Sequence, residues 1–439
     1  NNNYIVFTKL LTPLIVKNCV VATETATQTL KDGQIVTVDG SGGKVYDGKV
    51  EEKIAEGVKE ILPIVRGTKT KIKVMVDLPS FAERAAKSQA DAVGLMRLEG
   101  IIAESGKHPL YYVKNGNPHE YRDVIEDGVS KISKHFKEIW VRTSDIRTDE
   151  FRHLKGAPAE VEVNPMLGFH GIRFSLKNIP IMEAEIEAVS RVAEKNPTKK
   201  FGLMFPQVIS EEEMAEAYKI YKKFQKPNLI IGTMIETPAA VQVIRGICKY
   251  AKFISFGTND LTQFTLAIDR GNAECQYMYN EMHPAILSQL RRVIDVCKEY
   301  KVETSICGQA GSKKEMVEFL VRQGIDSISV NADMAHDISQ YVLELETKLK
   351  SQGNKNNNPS KKPSVLPVDD MSEIEEKENE KVADVEKRKM VHLHRKDSKT
   401  EVVEEKESAE EEKEDNDNKK EAEEYPVFEI GFDPFKEVR

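Results

Sequence analysis

Six side chains able to manage a phosphorylated anion and a divalent ion stand at or just past the ends of apolar runs: Arg97, Arg142, Glu236, Asn259, Asp260 and Cys307. The stretch "ISFGTNDLTQFTLAIDRGN" (254–272) shows the pattern most densely. A buried run, Phe253 to Phe256, breaks into Gly257-Thr258-Asn259-Asp260, and Arg270 follows ten residues after the acid. Glu236 and Asp260 are hard oxygen ligands, and Mg2+ prefers one or two carboxylates completed by substrate oxygens and water. Guanidinium forks match phosphate and carboxylate oxygens, so Arg97, Arg142 and Arg270 converging on one rim would hold an anionic ligand. Asn259 and the backbone of Gly257 and Thr258 add neutral donors. At a polar rim the Cys307 thiol can act as a general acid/base or a nucleophile. Each group also has a plainer role. Glu236 could cap the helix after Thr237-Pro238, Asp260 could be a turn acid, the arginines could be surface ion pairs, and Cys307 could be a small buried apolar group.

These residues need a scaffold that gathers strand ends. Eight β-rich runs recur, each followed by polar or Gly residues and a helical segment: 71–79, 91–99, 138–145, 200–208, 228–237, 252–260, 302–310 and 326–333. Among the helices, 210–224 opens with Ser210 and acids, as a helix N-terminus should, and 283–300 carries Pro284 near its start with apolar residues at helical spacing. Eight β-then-α units over 71–350 predict a (β/α)8 TIM barrel of the α/β class, whose active site lies at the C-terminal face of the strands. A doubly wound open sheet is the alternative.

The flanks read differently. Residues 19–50 alternate short β segments with Gly turns, and 51–70 read as a linker helix into the barrel. From 351 to 424 the chain is Lys/Glu-rich with too little apolar content to fold alone, a disordered charged tail or a solvated helix. Residues 425–439, "YPVFEIGFDPFKEVR", turn aromatic again, as a frayed end or a tethered docking peptide.

Composition narrows the function classes. The 439 residues suit two or three domains, and the net charge of −8 argues against a nucleic-acid surface. No 18-residue apolar run and no signal peptide are found, so no membrane partner and a cytoplasmic location are expected. The chain begins without Met and reads as cut from something longer. The five cysteines are scattered, which suits a reducing compartment without a disulfide framework. Cys248, Cys275 and Cys297 read as packing. The nine histidines offer no metal pair at helical spacing.

The segments "DAVGLMRLEG", "VRTSDIRTDEFRHLKG", "NPMLGFHGIR", "GTMIETPAA", "FGTNDLTQFTLAIDRGN" and "CGQAG" resemble, in order across 91–311, the PEP-utilising family. That family includes phosphoenolpyruvate synthase, pyruvate phosphate dikinase and enzyme I of the sugar phosphotransferase system; "RTSDIRTDEFR" looks most like the synthase branch. The resemblance implies conversion of ATP, pyruvate and water to AMP, phosphoenolpyruvate and phosphate, with a phosphohistidine carrying the phosphoryl group to the pyruvate enolate. It implies that Arg97 and Arg142 bind substrate, that Glu236 and Asp260 bind Mg2+, that Gly257, Thr258, Asn259 and Arg270 hold the phosphate, and that Cys307 moves the methyl proton. Residues 19–50 then look like the C-terminal half of a phosphohistidine (swivelling) domain. An N-terminal ATP-binding and phosphohistidine segment becomes an implied partner, without which this chain is an incomplete phosphotransferase; a homo-oligomer is expected. The rival readings are the dikinase, enzyme I, or a non-catalytic assembly module with a partner-binding tail.

Two features depart from the family pattern. His170 stands where the family has a substrate-contacting Arg, so either His170 replaces it or Arg173 reaches in. No His precedes Ala-Ala upstream of "CVVATETATQTLKDGQ", where the phosphocarrier would sit. Residues 1–18, closing in Asn18 before Cys19, resemble the C-terminal end of an intein, with Asn18 and Cys19 as a possible splice junction. An ordinary strand pair of the truncated domain is the alternative.

Overall fold

The computed structural model describes residues 29–31, 33–39, 44–48 and 60–355. The intein-like segment 1–18 with Cys19, most of the tail 351–424 and the aromatic segment 425–439 therefore lie outside the described residues. Within 19–50 the described part is a hairpin, β1 (Val36–Asp39) antiparallel to β2 (Lys44–Asp47).

All eight runs expected from the sequence form strands: β3 (Lys71–Met75), β4 (Ala92–Arg97), β5 (Glu138–Arg142), β6 (Lys200–Phe205), β7 (Leu229–Ile235), β8 (Phe253–Phe256), β9 (Glu303–Ile306) and β10 (Ser327–Val330). They close into one parallel barrel in sequence order, with β10 pairing back onto β3. The (β/α)8 expectation holds, and the open sheet is excluded. Strands β4, β6 and β7 are apolar along nearly their whole length because both faces are covered, by helices outside and by the barrel interior inside. The interior layer packs Leu95, Trp140, Met204, Met234, Phe253 and Cys307 together. The Trp140 and Phe253 rings stack at 4.0 Å between centroids.

The outer helices start where capping chemistry allows. Helix Glu211–Phe224 begins at Ser210, whose hydroxyl accepts from the Glu213 N–H at 3.2 Å. Helix Pro284–Tyr300 begins after His283, whose ring nitrogen accepts from the Ala285 N–H. The linker helix expected over 51–70 does not extend into its described part, because residues 60–70 are irregular. Pro63 removes a donor and Gly67 takes a φ of +101°, so a helix cannot run through them. Instead the segment is held to the last helix, Ala335–Lys355. Lys69 and Thr70 donate backbone N–H groups to the Glu346 carboxylate, and Val65 donates to Ser339.

Candidate active site at the strand ends

The site residues stand at or beyond the ends of six strands, β4 to β9. Arg97 closes β4 and donates through its backbone N–H and its guanidinium to the two oxygens of Asp77, at 3.0 and 2.6 Å. Arg142 closes β5 and donates to Glu99 Oε1 at 2.8 Å; Glu99 opens the helix after β4. The same Glu99 oxygen accepts the Asp145 N–H at 2.6 Å, which folds the loop after β5 back over the mouth. Glu236 follows β7 directly. It does not cap the next helix: Thr237 does, accepting from the Ala240 N–H at 3.1 Å. Glu236 is left buried and turned to the interior, where Oε1 accepts the Gln207 N–H at 2.7 Å.

The break after Phe256 falls where the sequence placed it, but the polar tetrad Gly257–Asp260 opens a helix instead of forming a plain turn. β8 stops at Phe256, and Thr258–Leu266 is a helix. Asn259 and Asp260 therefore occupy its first turn, where unbonded backbone N–H groups and the helix dipole favour an anion. The approach is tight. A Cβ on Gly257 would lie 2.4 Å from Glu236 Oε2, and one on Gly308 would lie 2.0 Å from Thr258 Oγ1. Arg270 returns to this turn, with Nη2 3.0 Å from Asp260 Oδ1.

One ligand was not legible in advance. Asp145, Glu236 and Asp260 each offer a carboxylate oxygen, and the three atoms lie within 4.8 Å of one another. Asp145 sits three residues past Arg142, in a loop rather than at a strand end, so spacing alone did not single it out. Gln207 was missed as well. It adopts a φ of +59°, which is costly for a side-chain-bearing residue, and its amide donates to Asp260 Oδ2 at 3.2 Å while its N–H holds Glu236. A buried non-glycine in that conformation, bonded to both carboxylates, fixes their separation.

The electrostatics follow from burial and neighbours. Burial, with the Asp260 charge beside it, pushes the Glu236 carboxyl up to about 8. A hard divalent cation would relieve that repulsion, and carboxylate oxygens are the donors that Mg2+ takes, with substrate oxygens and water completing its shell. Burial pushes the Cys307 thiol up to about 11, while Arg97 and Arg142 act against the rise. Cys307 thus lies buried at the mouth, within electrostatic reach of both arginines and Glu236, its sulfur 3.6 Å from the Phe256 carbonyl oxygen. Burial opposes ionisation of Asp145, but the bond from His170 and the charge of Arg142 hold it at about 2.

His170 is tied to the frame of the site through both ring nitrogens. Its Nδ1 lies 2.6 Å from Asp145 Oδ1 and its Nε2 2.9 Å from the Met166 carbonyl oxygen. Both partners are acceptors, so both ring nitrogens must donate, and the ring is an imidazolium. Arg173 donates to the Gly168 carbonyl at 3.2 Å. The mouth therefore holds Arg97, Arg142 and Arg270 facing three carboxylates, with buried Glu99 Oε2, Arg142 Nε and Thr258 Oγ1 lacking hydrogen-bond partners.

Residues 51–347 match the family model of the PEP-utilising enzyme, PEP-binding domain. The chain is 44% identical over 348 residues to phosphoenolpyruvate synthase of Pyrococcus furiosus, covering 75% of this chain and 42% of that protein. A probable phosphoenolpyruvate synthase of Archaeoglobus fulgidus is 43% identical over 340 residues, covering 75% of this chain and 44% of its own. One of Methanocaldococcus jannaschii is 41% identical over 374 residues, covering 80% and 31%. The chain thus spans less than half the length of these relatives. Among the described residues no helix is long and apolar enough to cross a membrane. On the match across its barrel, this chain belongs to the PEP-utilising enzyme family and carries that family's PEP-binding domain.

Proposed function

We propose that the barrel mouth binds pyruvate and phosphoenolpyruvate and performs the phosphoryl-accepting half of a phosphoenolpyruvate synthase reaction. The observation that carries this reading is the gathering of three carboxylates, three guanidinium groups and one thiol from five strand ends at a single mouth. Asp145, Glu236 and Asp260 would hold Mg2+, which when bound supplies a positive charge against the enolate oxygen. Arg97 and Arg142 orient the carboxylate and the incoming phosphoryl group, and Arg270 with the first turn of helix Thr258–Leu266 receives phosphate oxygens.

Cys307 handles the proton at C3. In the synthetic direction the Cys307 thiol first releases its proton to water, the thiolate then takes a methyl proton as the enolate forms, and the enolate oxygen accepts the phosphoryl group from a phosphohistidine, which leaves as the free imidazole. In reverse the thiol returns the proton. A thiol pushed up to about 11 is protonated at neutral pH, ready for the reverse step, and the arginines beside it ease the forward one. The overall conversion of ATP, pyruvate and water to AMP, phosphoenolpyruvate and phosphate draws on an ATP-binding and phosphohistidine segment.

The test is isotope exchange. The full chain with Mg2+ and a phosphate analogue should wash deuterium from water into the pyruvate methyl group, followed by NMR. Cys307→Ser should cut that exchange by about 100-fold or more while leaving phosphoenolpyruvate binding within a few-fold. Absence of both exchange and Mg2+-dependent phosphoenolpyruvate binding in the unmodified chain would sink the reading.

A further inference from the structure

Away from the mouth, two thiols meet in the outer layer. Cys248 follows helix Ile244–Ile247 directly, and Cys297 lies in the last two turns of helix Pro284–Tyr300. Their sulfurs are 3.8 Å apart, and both residues are buried. Other contacts fix the approach. Arg245 donates twice to Glu299, and Arg292 donates to the Val241 and Gln242 carbonyls at 3.3 and 3.4 Å. A disulfide needs about 2.05 Å between sulfurs, so the two atoms must close by less than 2 Å from their 3.8 Å separation.

We propose that Cys248 and Cys297 are a reversible disulfide site, with Cys248 as the attacking sulfur and Cys297 as the resolving one. The order follows from the surroundings. The two sulfurs share a hydrogen bond in which either can donate, and the Arg245 guanidinium lies near Cys248, where it favours that thiolate against the effect of burial. Cys248 also keeps a small opening to solvent, 6% exposed against none for Cys297. A peroxide is an oxidant small enough to use that opening. The Cys248 thiolate attacks one peroxide oxygen, breaking the O–O bond to give a sulfenic acid and hydroxide. The Cys297 sulfur then attacks the Cys248 sulfur and expels a second hydroxide. The two thiol protons convert both hydroxides to water. Two electrons pass from the sulfur pair to the peroxide, and a thiol reductant reverses the change.

The bond would close a loop of 49 residues. That loop contains β8, the first turn of helix Thr258–Leu266 and Arg270, so cross-linking ties down one side of the mouth. Cys307 should stay reduced, because burial keeps its thiol protonated and a thiol is a poor nucleophile toward peroxide.

The experiment treats the full chain with a small molar excess of hydrogen peroxide, then alkylates it under denaturing conditions and maps it by mass spectrometry. Most of the chain should yield a peptide pair joined through Cys248 and Cys297, lighter by two hydrogens, which dithiothreitol releases. The oxidised protein should melt higher by about 5 °C. Cys297→Ser should lose both effects and trap sulfenic acid on Cys248, and the unmodified chain gives the peptide readout even if that variant folds poorly. Recovery of both cysteines fully alkylated, or of Cys248 as sulfinic acid with Cys297 free, would overturn the proposal.

Discussion

At the scale of single residues, the mouth is organised by hydrogen bonds that assign each acid one task. Glu99 is committed to Arg142 and to the Asp145 N–H, and Asp77 to Arg97. Asp145, Glu236 and Asp260 are left to share whatever cation arrives. His170 governs the first of these from below. Because its imidazolium is buried between Asp145 and Met166, His170→Ala leaves the Asp145 charge without its nearest partner, with only the more distant Arg142, 3.8 Å from its other oxygen, beside it. That substitution should destabilise the fold by about 3 kcal/mol, read as a lowered denaturant midpoint with an unchanged slope. An unchanged midpoint would mean that the buried ion pair contributes nothing net.

At the scale of elements, the first turn of helix Thr258–Leu266 matters more than any one side chain in it. Its position is set by glycines on both flanks: Gly257 lets Glu236 approach, and Gly308 lets Thr258 sit against the turn after Cys307. Gly308→Ala would push Thr258 and its backbone N–H away from the mouth. It should weaken phosphoenolpyruvate affinity at least about tenfold while costing roughly 1–3 kcal/mol of stability. Calorimetric titration alongside thermal melting separates the two effects. Equal affinity in the variant would show that this helix terminus is not where the ligand binds.

At the scale of the whole molecule, the barrel is closed at the opposite end by charge. Lys73 is fully buried, with Nζ 3.0 Å from Glu138 Oε1, 3.2 Å from Glu303 Oε1 and 3.2 Å above the Trp140 ring centroid. Lys73→Met would leave Glu138 and Glu303 facing each other with only Lys200 between them. The expected loss is about 3 kcal/mol, measured by urea unfolding. A second global effect depends on pH. Burial pushes Glu185 up to about 7 from 4.5, between the Tyr121 hydroxyl and the Ser144 N–H. Between those values the native carboxyl keeps a proton that the unfolded chain has released. Its contribution therefore falls as pH rises from 4.5 to 7, by up to about 3 kcal/mol, and is constant above 7. Glu185→Gln should flatten that part of the stability profile; an unaltered profile would place the titration elsewhere.

The amino-acid sequence by itself determined the strands, the helix starts and most of the mouth. Strands covered on both faces are rich in apolar residues, and chemistry at their ends breaks that pattern, so Arg97, Arg142, Glu236 and Cys307 stood out at the ends of the runs. The family likeness was legible for the same reason: its motifs are those interruptions. What only the tertiary structure decided depends on contacts between segments distant in the chain. Asp145 joins Glu236 and Asp260 because a loop folds back onto Glu99. Gln207 is bent into a left-handed conformation by the two acids it bridges, and His170 is charged because two acceptors enclose it. Residues 60–70 give up a helix for backbone bonds to Glu346, which lies at the far end of the barrel sequence. Local pattern carries burial and periodicity, but which acid meets which base is settled only when the ring of strands closes.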